Sequence, residues 1–379
     1  MTDISRSSNL ALVLSGGGAR ASYQVGVLAA IAERWPDLQV PVLTGVSAGA
    51  INAISLAAHR GSFREGVESL RAAWLRITPE HVYRVKTRAV AGRAARLALD
   101  FVLGKATDAG TLPGLMDMGP LRNLLGGMID FTGIDANIDA GRLRAVALTA
   151  TSYATGQTVT FIHGEPHVTL WERTQRTAAH ARLALAHVMA SSAIPLIFPA
   201  VEIEGRFYGD GSVRQTTPLS PAIHLGADRL LVIGMRPGWA RNAPVIQSGY
   251  PTTAQIMALL FDSVFLDALD ADAERLGLVN RLLAAAPAPK ATAPLKQVKL
   301  LMLRPSRGLG DLAAGLTPRL PRPLNQIVKS IGGSGQASRD FLSYLLFDPA
   351  YTSLAMELGH DDTRADVERI ERFLEAGPP

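Results

Sequence analysis

Two short apolar runs, each ending in a glycine-rich turn that opens a helix, constrain the fold more than any other feature. Leu10 to Leu14 is uninterrupted and breaks at Gly16, Gly17 and Gly18. Ala19 to Arg34 then carries Tyr23, Val27, Leu28 and Ile31 at helical spacing. Val40 to Thr44 is a second such run, followed by Gly45, Val46, Ser47, Ala48 and Gly49. Ala50 to His59 reads as a small-residue helix stopped by Gly61. Short continuous apolar runs bounded by turn signals read as strands buried on both faces. Strand, helix, strand, helix in succession requires a parallel sheet covered by helices, so the expected class is α/β.

The rest of the chain extends this pattern. Residues 61 to 140 read as helix and loop. Within them, 81 to 99 holds Arg84, Lys86, Arg88, Arg93 and Arg96 without an acid. Those charges spread around a helical wheel, as on a solvated helix rather than a membrane-binding face. The Gly-rich stretch 104 to 119 reads as a packed loop or a lid. Arg144 to Thr151 is a strand with a hairpin return at Thr158 to His163. Glu172 to Ala190 reads as a helix ending at Ser191, Ser192, Ala193, Ile194 and Pro195. Val201 to Glu204 and Arg206 to Tyr208 form a second hairpin, leading into Gly209, Asp210, Gly211 and Ser212. Arg229 to Gly234 and Val298 to Leu303 are further strands. Ala284 to Pro294 and Arg304 to Pro323 read as loops, and the chain from Gln336 onward as helix. The expected division is a disordered N-terminus at 1–9, a catalytic domain at 10–235, and a C-terminal extension at 236–379 that packs on it.

Composition removes several function classes. The 379 residues contain no cysteine, which excludes disulfides, a thiolate nucleophile and Cys-based metal sites. Lys and Arg number 38 against 33 Asp and Glu, and only six of the basic residues are Lys. Arg richness reads either as compositional bias or as attraction to an anionic surface. No nucleic-acid-binding motif accompanies it, so nucleic acid is not an expected partner. No apolar run reaches the roughly 18 residues of a spanning helix. The first residues lack the basic and apolar regions of a signal peptide. The expectation is a cytoplasmic chain, at most peripheral to the inner face of a membrane.

Three segments carry candidate chemistry. A Ser between strand and helix in the pattern Gly45, Val46, Ser47, Ala48, Gly49 suits a nucleophile: the sharp turn lifts the hydroxyl, and small residues clear space around it. The helix that follows offers its N-terminal dipole to developing negative charge. Gly16, Gly17 and Gly18 present bare backbone N–H groups suited to an oxyanion or a phosphate. With Ala19, Arg20 and Ala21 they also satisfy a relaxed dinucleotide fingerprint. That reading requires an acid at the end of the next strand, where none stands. Asp210, flanked by Gly209 and Gly211, sits where backbone approaches closely, and a desolvated carboxylate can act as a base. None of the eight histidines lies in a motif that marks a catalytic imidazole.

In order and spacing, these segments resemble the patatin-like phospholipase family, over roughly Leu10 to Gly234. Gly16 to Arg20 resembles its glycine-rich oxyanion motif, Gly45 to Gly49 its nucleophile elbow, and Asp210-Gly211 its base motif. Ser191 to Pro195 resembles the segment preceding that Asp, and Ser343 to Asp348 resembles tails of bacterial members. Ser212 departs from the Gly or Ala usual there; its hydroxyl can donate to the Asp210 carboxylate. The resemblance implies a three-layer fold with a mostly parallel sheet flanked by helices and a helical C-terminal extension. It further implies a Ser47–Asp210 dyad, an oxyanion hole of Gly16, Gly17 and Gly18 supported by Arg20, an acyl-enzyme, and no metal or organic cofactor. The implied substrate is a phospholipid, lysophospholipid or other fatty-acyl ester. Two alternatives remain at this point. One is a Ser-His-Asp esterase using His224 or His360; the other is a non-catalytic lipid- or protein-binding module on the same scaffold.

Overall fold

Strand β1 (Leu10–Leu14) is buried throughout and lies between two parallel partners, β2 (Val42–Val46) and β11 (Arg229–Ile233). The structure is a computed structural model and describes residues 9–85, 114–238, 250–285, 295–314, 316 and 336–375. Beyond β11 lies β12 (Lys299–Leu303), and beyond β2 lies β5 (Ala145–Ser152), both parallel to their neighbours. From β5 the sheet turns mixed. β6 (Thr158–Gly164) pairs antiparallel with β5, β8 (Arg176–His180) parallel with β6, and β7 (Glu172–Arg173) antiparallel with β8. A hairpin of β9 (Val201–Ile203) and β10 (Arg206–Asp210) joins through β10, which pairs antiparallel with the end of β5. Among the described residues this is a ten-stranded sheet, with a separate two-stranded ribbon of β3 (Arg84–Val85) and β4 (Met116–Asp117).

The side-chain period of two divides β1 between two cores. Leu10, Leu12 and Leu14 join the larger one, with α1 (Ser22–Arg34), α2 (Ala48–Ala58) and α3 (Phe63–Leu75). Ala11 and Val13 join the smaller one, under the helices Ser220–His224 and Ala268–Ala285. Helices on both faces make three layers, as the uninterrupted apolar strands require. α3 starts at a reciprocal cap in which Ser62 accepts from the Glu65 N–H and Glu65 accepts from the Ser62 N–H. The helix Pro349–Ala365 crosses α1 so closely that a side chain on Gly26 would strike the Met356 carbonyl. Residues after 235 thus supply an edge strand and part of the larger core.

Glu172 to Ala190, expected as one helix, is β7 and β8 followed by the helix Leu185–Ser191. Ala178 and Ala179 are good helix formers, but β6 offers this segment a free edge with a full hydrogen-bonding register from Thr158↔Arg176 to Ile162↔His180. Tertiary pairing overrides a propensity difference of a few tenths of a kcal/mol per residue. The basic stretch after Val85, most of the 104–119 stretch and residues 286–294 and 317–323 of the expected loops lie outside the described residues.

Candidate active site

The parallel strands end at one edge of the sheet, where open α/β sheets bind ligands. The chain leaves β1 toward β2 on one side, while β11 joins β1 on the other. Gly16, Gly17 and Gly18 follow β1, and Ser47 follows the neighbouring β2. Ser47 adopts φ 55° and ψ −130°. Such a backbone costs a non-glycine residue on the order of 1–3 kcal/mol and persists only where its surroundings impose it. Those surroundings are close: a side chain on Gly45 would meet the Gly49 carbonyl, and one on Gly49 the Leu14 carbonyl.

β5 brings the carboxylate to the hydroxyl. Along one edge of β5, Thr149 is paired with Val46 of β2, and the next residue, Ala150, with Asp210 of β10. The residue after Val46 is Ser47, so two segments far apart in the chain meet on consecutive positions of one strand. The turn Ser191 to Ala193 locks both. Ser191 Oγ accepts from the Ser47 N–H (3.1 Å) and donates to the Thr149 carbonyl (2.7 Å). Ser192 Oγ donates to the Ser47 carbonyl (3.2 Å), and the Asp210 N–H donates to the Ala193 carbonyl (2.8 Å). Thr151 Oγ1 donates to the Asp210 carbonyl (2.9 Å). Gly211 packs against the Thr149 carbonyl, which leaves no room for a side chain there.

Asp210 has 0% of its surface exposed. Its Oδ1 accepts from the Ser212 N–H at 2.9 Å, while Oδ2 is buried without a hydrogen bond of good geometry. Desolvation pushes its pKa up from 3.8 to about 6, against the opposing pull of the Ser47 hydroxyl and the Ser212 N–H and hydroxyl. The Ser212 hydroxyl therefore faces the carboxylate and holds its basicity down, though like Oδ2 it forms no hydrogen bond of good geometry. Gly16 completes the cluster: a Cβ there would lie 2.6 Å from Ser212 Oγ and 3.1 Å from Ser47 Cβ.

The glycine turn is held from the C-terminal side of the chain. Gly18 has φ 56° and no room for a side chain beside the Tyr344 carbonyl, which accepts the Ala19 N–H at 2.9 Å. Arg20 is buried; its Nε donates to Ser343 Oγ (2.7 Å), Nη2 to the Asp340 carbonyl (2.8 Å), and Nη1 to Asp262 Oδ1 (3.4 Å). Its guanidinium lies 3.9 Å from the centre of the Tyr344 ring. Among the described residues, the N–H groups of Gly17 and Gly18 have no hydrogen-bond acceptor. Behind the turn, Gln24 Nε2 donates to the Ser15 carbonyl (2.9 Å), Asn52 Nδ2 to Gln24 Oε1 (2.8 Å), and Trp74 Nε1 to Asn52 Oδ1 (2.8 Å). Sequence reasoning marks Ser191 to Pro195 and Ser343 to Asp348 only by resemblance and gives Gln24, Asn52 and Trp74 no role; the contacts that tie them to Ser47 and the glycine turn are all long-range.

The two histidines of the alternative triad are engaged elsewhere. His224 stacks on Trp171 with ring centroids 4.7 Å apart, and His360 Nε2 lies 3.0 Å from Glu33 Oε2. Neither forms a hydrogen bond with Ser47 or Asp210 among the described residues. Ser47 opens instead onto an apolar cavity between α2, α3 and the helix Gly119–Met128, walled by Ile51, Leu70, Trp74, Leu125 and Phe347. Among the described residues, no three His, Asp or Glu side chains are grouped to hold a metal ion, and no helix is long and apolar enough to cross a membrane.

A family model described as patatin-like phospholipase matches residues 12–223, more than half of the chain. The chain belongs to the patatin-like phospholipase family. That membership supports a lipid acyl hydrolase. No curated protein sequence matches the chain. Solved structures similar to this family member include VipD from Legionella pneumophila, at 13% identity and TM-score 0.36, covering 95% of this chain and 67% of that one. Human GIVD cytosolic phospholipase A2 in complex with methyl gamma-linolenyl fluorophosphonate matches at 13% identity and TM-score 0.46, covering 96% of this chain. This family member spans 58% of that human chain's length. A chain of the SpcU–ExoU complex from Pseudomonas aeruginosa matches at 15% identity and TM-score 0.27, covering 89% of this chain and 70% of that one.

Proposed function

We propose that the chain is a serine acyl hydrolase that cleaves fatty-acyl esters of phospholipids or lysophospholipids. Asp210 removes the proton from Ser47 Oγ as that oxygen attacks the ester carbonyl carbon. The N–H groups of Gly17 and Gly18, aimed by the Tyr344 and Arg20 contacts, hold the oxyanion of the tetrahedral intermediate. As the intermediate collapses, protonated Asp210 returns its proton to the departing alkoxide, leaving Ser47 acylated. Asp210 then takes a proton from water, whose oxygen attacks the acyl carbonyl; the fatty acid leaves and Ser47 recovers its proton.

The observation that carries this reading is the pairing of Val46, the residue before Ser47, and of Asp210 with consecutive positions of β5, with Ser47 at the mouth of an apolar cavity. The raised pKa suits the role, since a carboxylate of ordinary acidity is a poor base for a hydroxyl. The strained backbone of Ser47 supports a functional role for this position, since strain of that kind clusters at active sites, ligand clamps and switches.

The test is fatty-acid release from phosphatidylcholine and phosphatidylglycerol vesicles and from p-nitrophenyl butyrate, comparing wild type with Ser47→Ala. Release from vesicles and ester, abolished in the variant, is the expected result. Release from the ester alone would remove phospholipid as the substrate. Equal release by Ser47→Ala would remove Ser47 as the nucleophile.

A further inference from the structure

The apolar cavity at Ser47 does not end at a solid wall. Its free space is about 50 Å³, and a second cavity of about 200 Å³ lies beyond it. Two side chains line both: Leu70 of α3, and Met128 at the end of the helix Gly119–Met128. Along α2, the inner cavity touches Ala48 and Ile51, and the outer one Ser55 and Ala58. At the rise of an α-helix, Ser55 lies about 6 Å beyond Ile51. α3 follows the same groove in reverse, with Trp74 on the inner cavity and Gly66 on the outer. The two cavities are therefore successive compartments of one groove that leads away from Ser47.

The two halves of the partition differ in stiffness. Leu70 is 2% exposed and sits within a capped helix. Met128 is half-buried, follows Gly126 and Gly127, and closes its helix. An unbranched thioether has three rotatable bonds and adapts to irregular space more readily than Leu. The outer compartment ends in water, where Arg60 and Asp130 pair at 3.1 Å with both side chains exposed. That charged rim sets a far limit for an apolar occupant.

We propose that Leu70 and Met128 partition the acyl path and set the acyl-chain length this protein accepts, with Met128 the movable half. The inference rests on the acyl-hydrolase reading above for its substrate. With the partition closed, the small inner compartment takes short and medium chains. With Met128 displaced, the chain runs on between Ser55, Ala58 and Leu70. Each methylene that newly leaves water for this groove is worth about fourfold in affinity, so a few more change the preference strongly.

The experiment compares wild type, Met128→Ala and Met128→Trp on p-nitrophenyl butyrate, octanoate and palmitate. Binding of octanoic and dodecanoic acids is measured by calorimetry in parallel, in the Ser47→Ala background. Met128→Ala is expected to raise the palmitate-to-octanoate ratio of kcat/KM at least tenfold, with butyrate turnover within about twofold of wild type. The dodecanoic-to-octanoic affinity ratio should rise in step. Met128→Trp is expected to lower octanoate turnover and spare butyrate, which keeps the test decisive should the alanine variant fold poorly. Unchanged length preference in both variants, in hydrolysis and in binding, would overturn the proposal. Absence of Ser47-dependent hydrolysis with a Met128-dependent shift in fatty-acid binding would overturn the acyl-hydrolase reading and leave the partition standing.

Discussion

Replacing Asp210 by Asn should make the protein inactive and more stable, by an amount that depends on pH in a defined way. The carboxylate is fully buried, and its pKa rises from 3.8 to about 6. At 1.36 kcal/mol per tenfold change in proton affinity, ionised Asp210 costs the folded state about 3 kcal/mol. Because the folded pKa lies above the unfolded one, the stability from this group is fully present below about pH 3.8. It is lost as the pH rises through about 6. Of that loss, about 1.4 kcal/mol falls between pH 5 and pH 8. Asn has nearly the same shape, can still accept the Ser212 N–H through its amide oxygen and does not titrate. Urea unfolding of wild type and Asp210→Asn at pH 5, 6, 7 and 8 should show the variant's advantage growing by about 1.4 kcal/mol over that range and levelling above pH 7. In parallel, wild-type kcat/KM should climb through about pH 6 and then plateau, while the variant falls at least a hundredfold. A stability difference that stays flat from pH 5 to pH 8, or a variant that retains turnover, would refute the assignment of Asp210 as a desolvated base.

Three further outcomes follow from the contacts around the pair. Ser191→Ala removes the hydroxyl between the Thr149 carbonyl and the Ser47 N–H, at a cost of about 1–3 kcal/mol in unfolding free energy. Steady-state kinetics should show kcat reduced more than KM is raised, since the change misplaces the nucleophile rather than the cavity. Gly18→Ala drives a methyl group into the Tyr344 carbonyl at a positive φ, so thermal unfolding should show a lowered Tm and ester hydrolysis should fall at least tenfold. His224→Ala and His360→Ala, made separately, should each keep kcat within about twofold of wild type, because His224 stacks on Trp171 and His360 pairs with Glu33. A hundredfold loss in either would restore the triad.

Local sequence was enough for the parts of this protein whose signal is local. A short apolar run that ends in glycines has no solvated face and is too brief for a helix, so β1, and with it the mostly apolar β2, reads as a buried strand. Gly16 to Gly18, and the glycines on either side of Ser47, mark where each strand gives way to a helix, and backbone does approach Gly18, Gly45 and Gly49 within the space of a Cβ. The candidate site residues stand out because Ser47, Asp210 and Arg20 each lie close to glycines in a short motif, while the roles proposed for them come from the family resemblance. Glu172 to His180 departs from the helix expected there, while Leu185 to Ala190 keeps it, because the decisive partner of the first part, the edge of β6, is not part of that segment.

Only the tertiary structure decided what those residues do to one another. Ser47 and Asp210 meet because Thr149 and Ala150 pair with Val46 and Asp210 in adjacent register, and register is a property of the assembled sheet. The basicity of Asp210 comes from burial, which no sequence position carries by itself. The glycine turn is aimed by Tyr344, Ser343 and Asp340, hundreds of residues away along the chain, through a carbonyl, a hydroxyl and a second carbonyl. Leu70 and Met128, 58 residues apart, line the same two cavities only because the fold brings α3 and the end of the helix Gly119–Met128 to one place. Sequence determines which groups are available and where the chain must turn. Long-range packing determines which of them share a dry space, and that dry space is what raises the proton affinity of the Asp210 carboxylate beside Ser47.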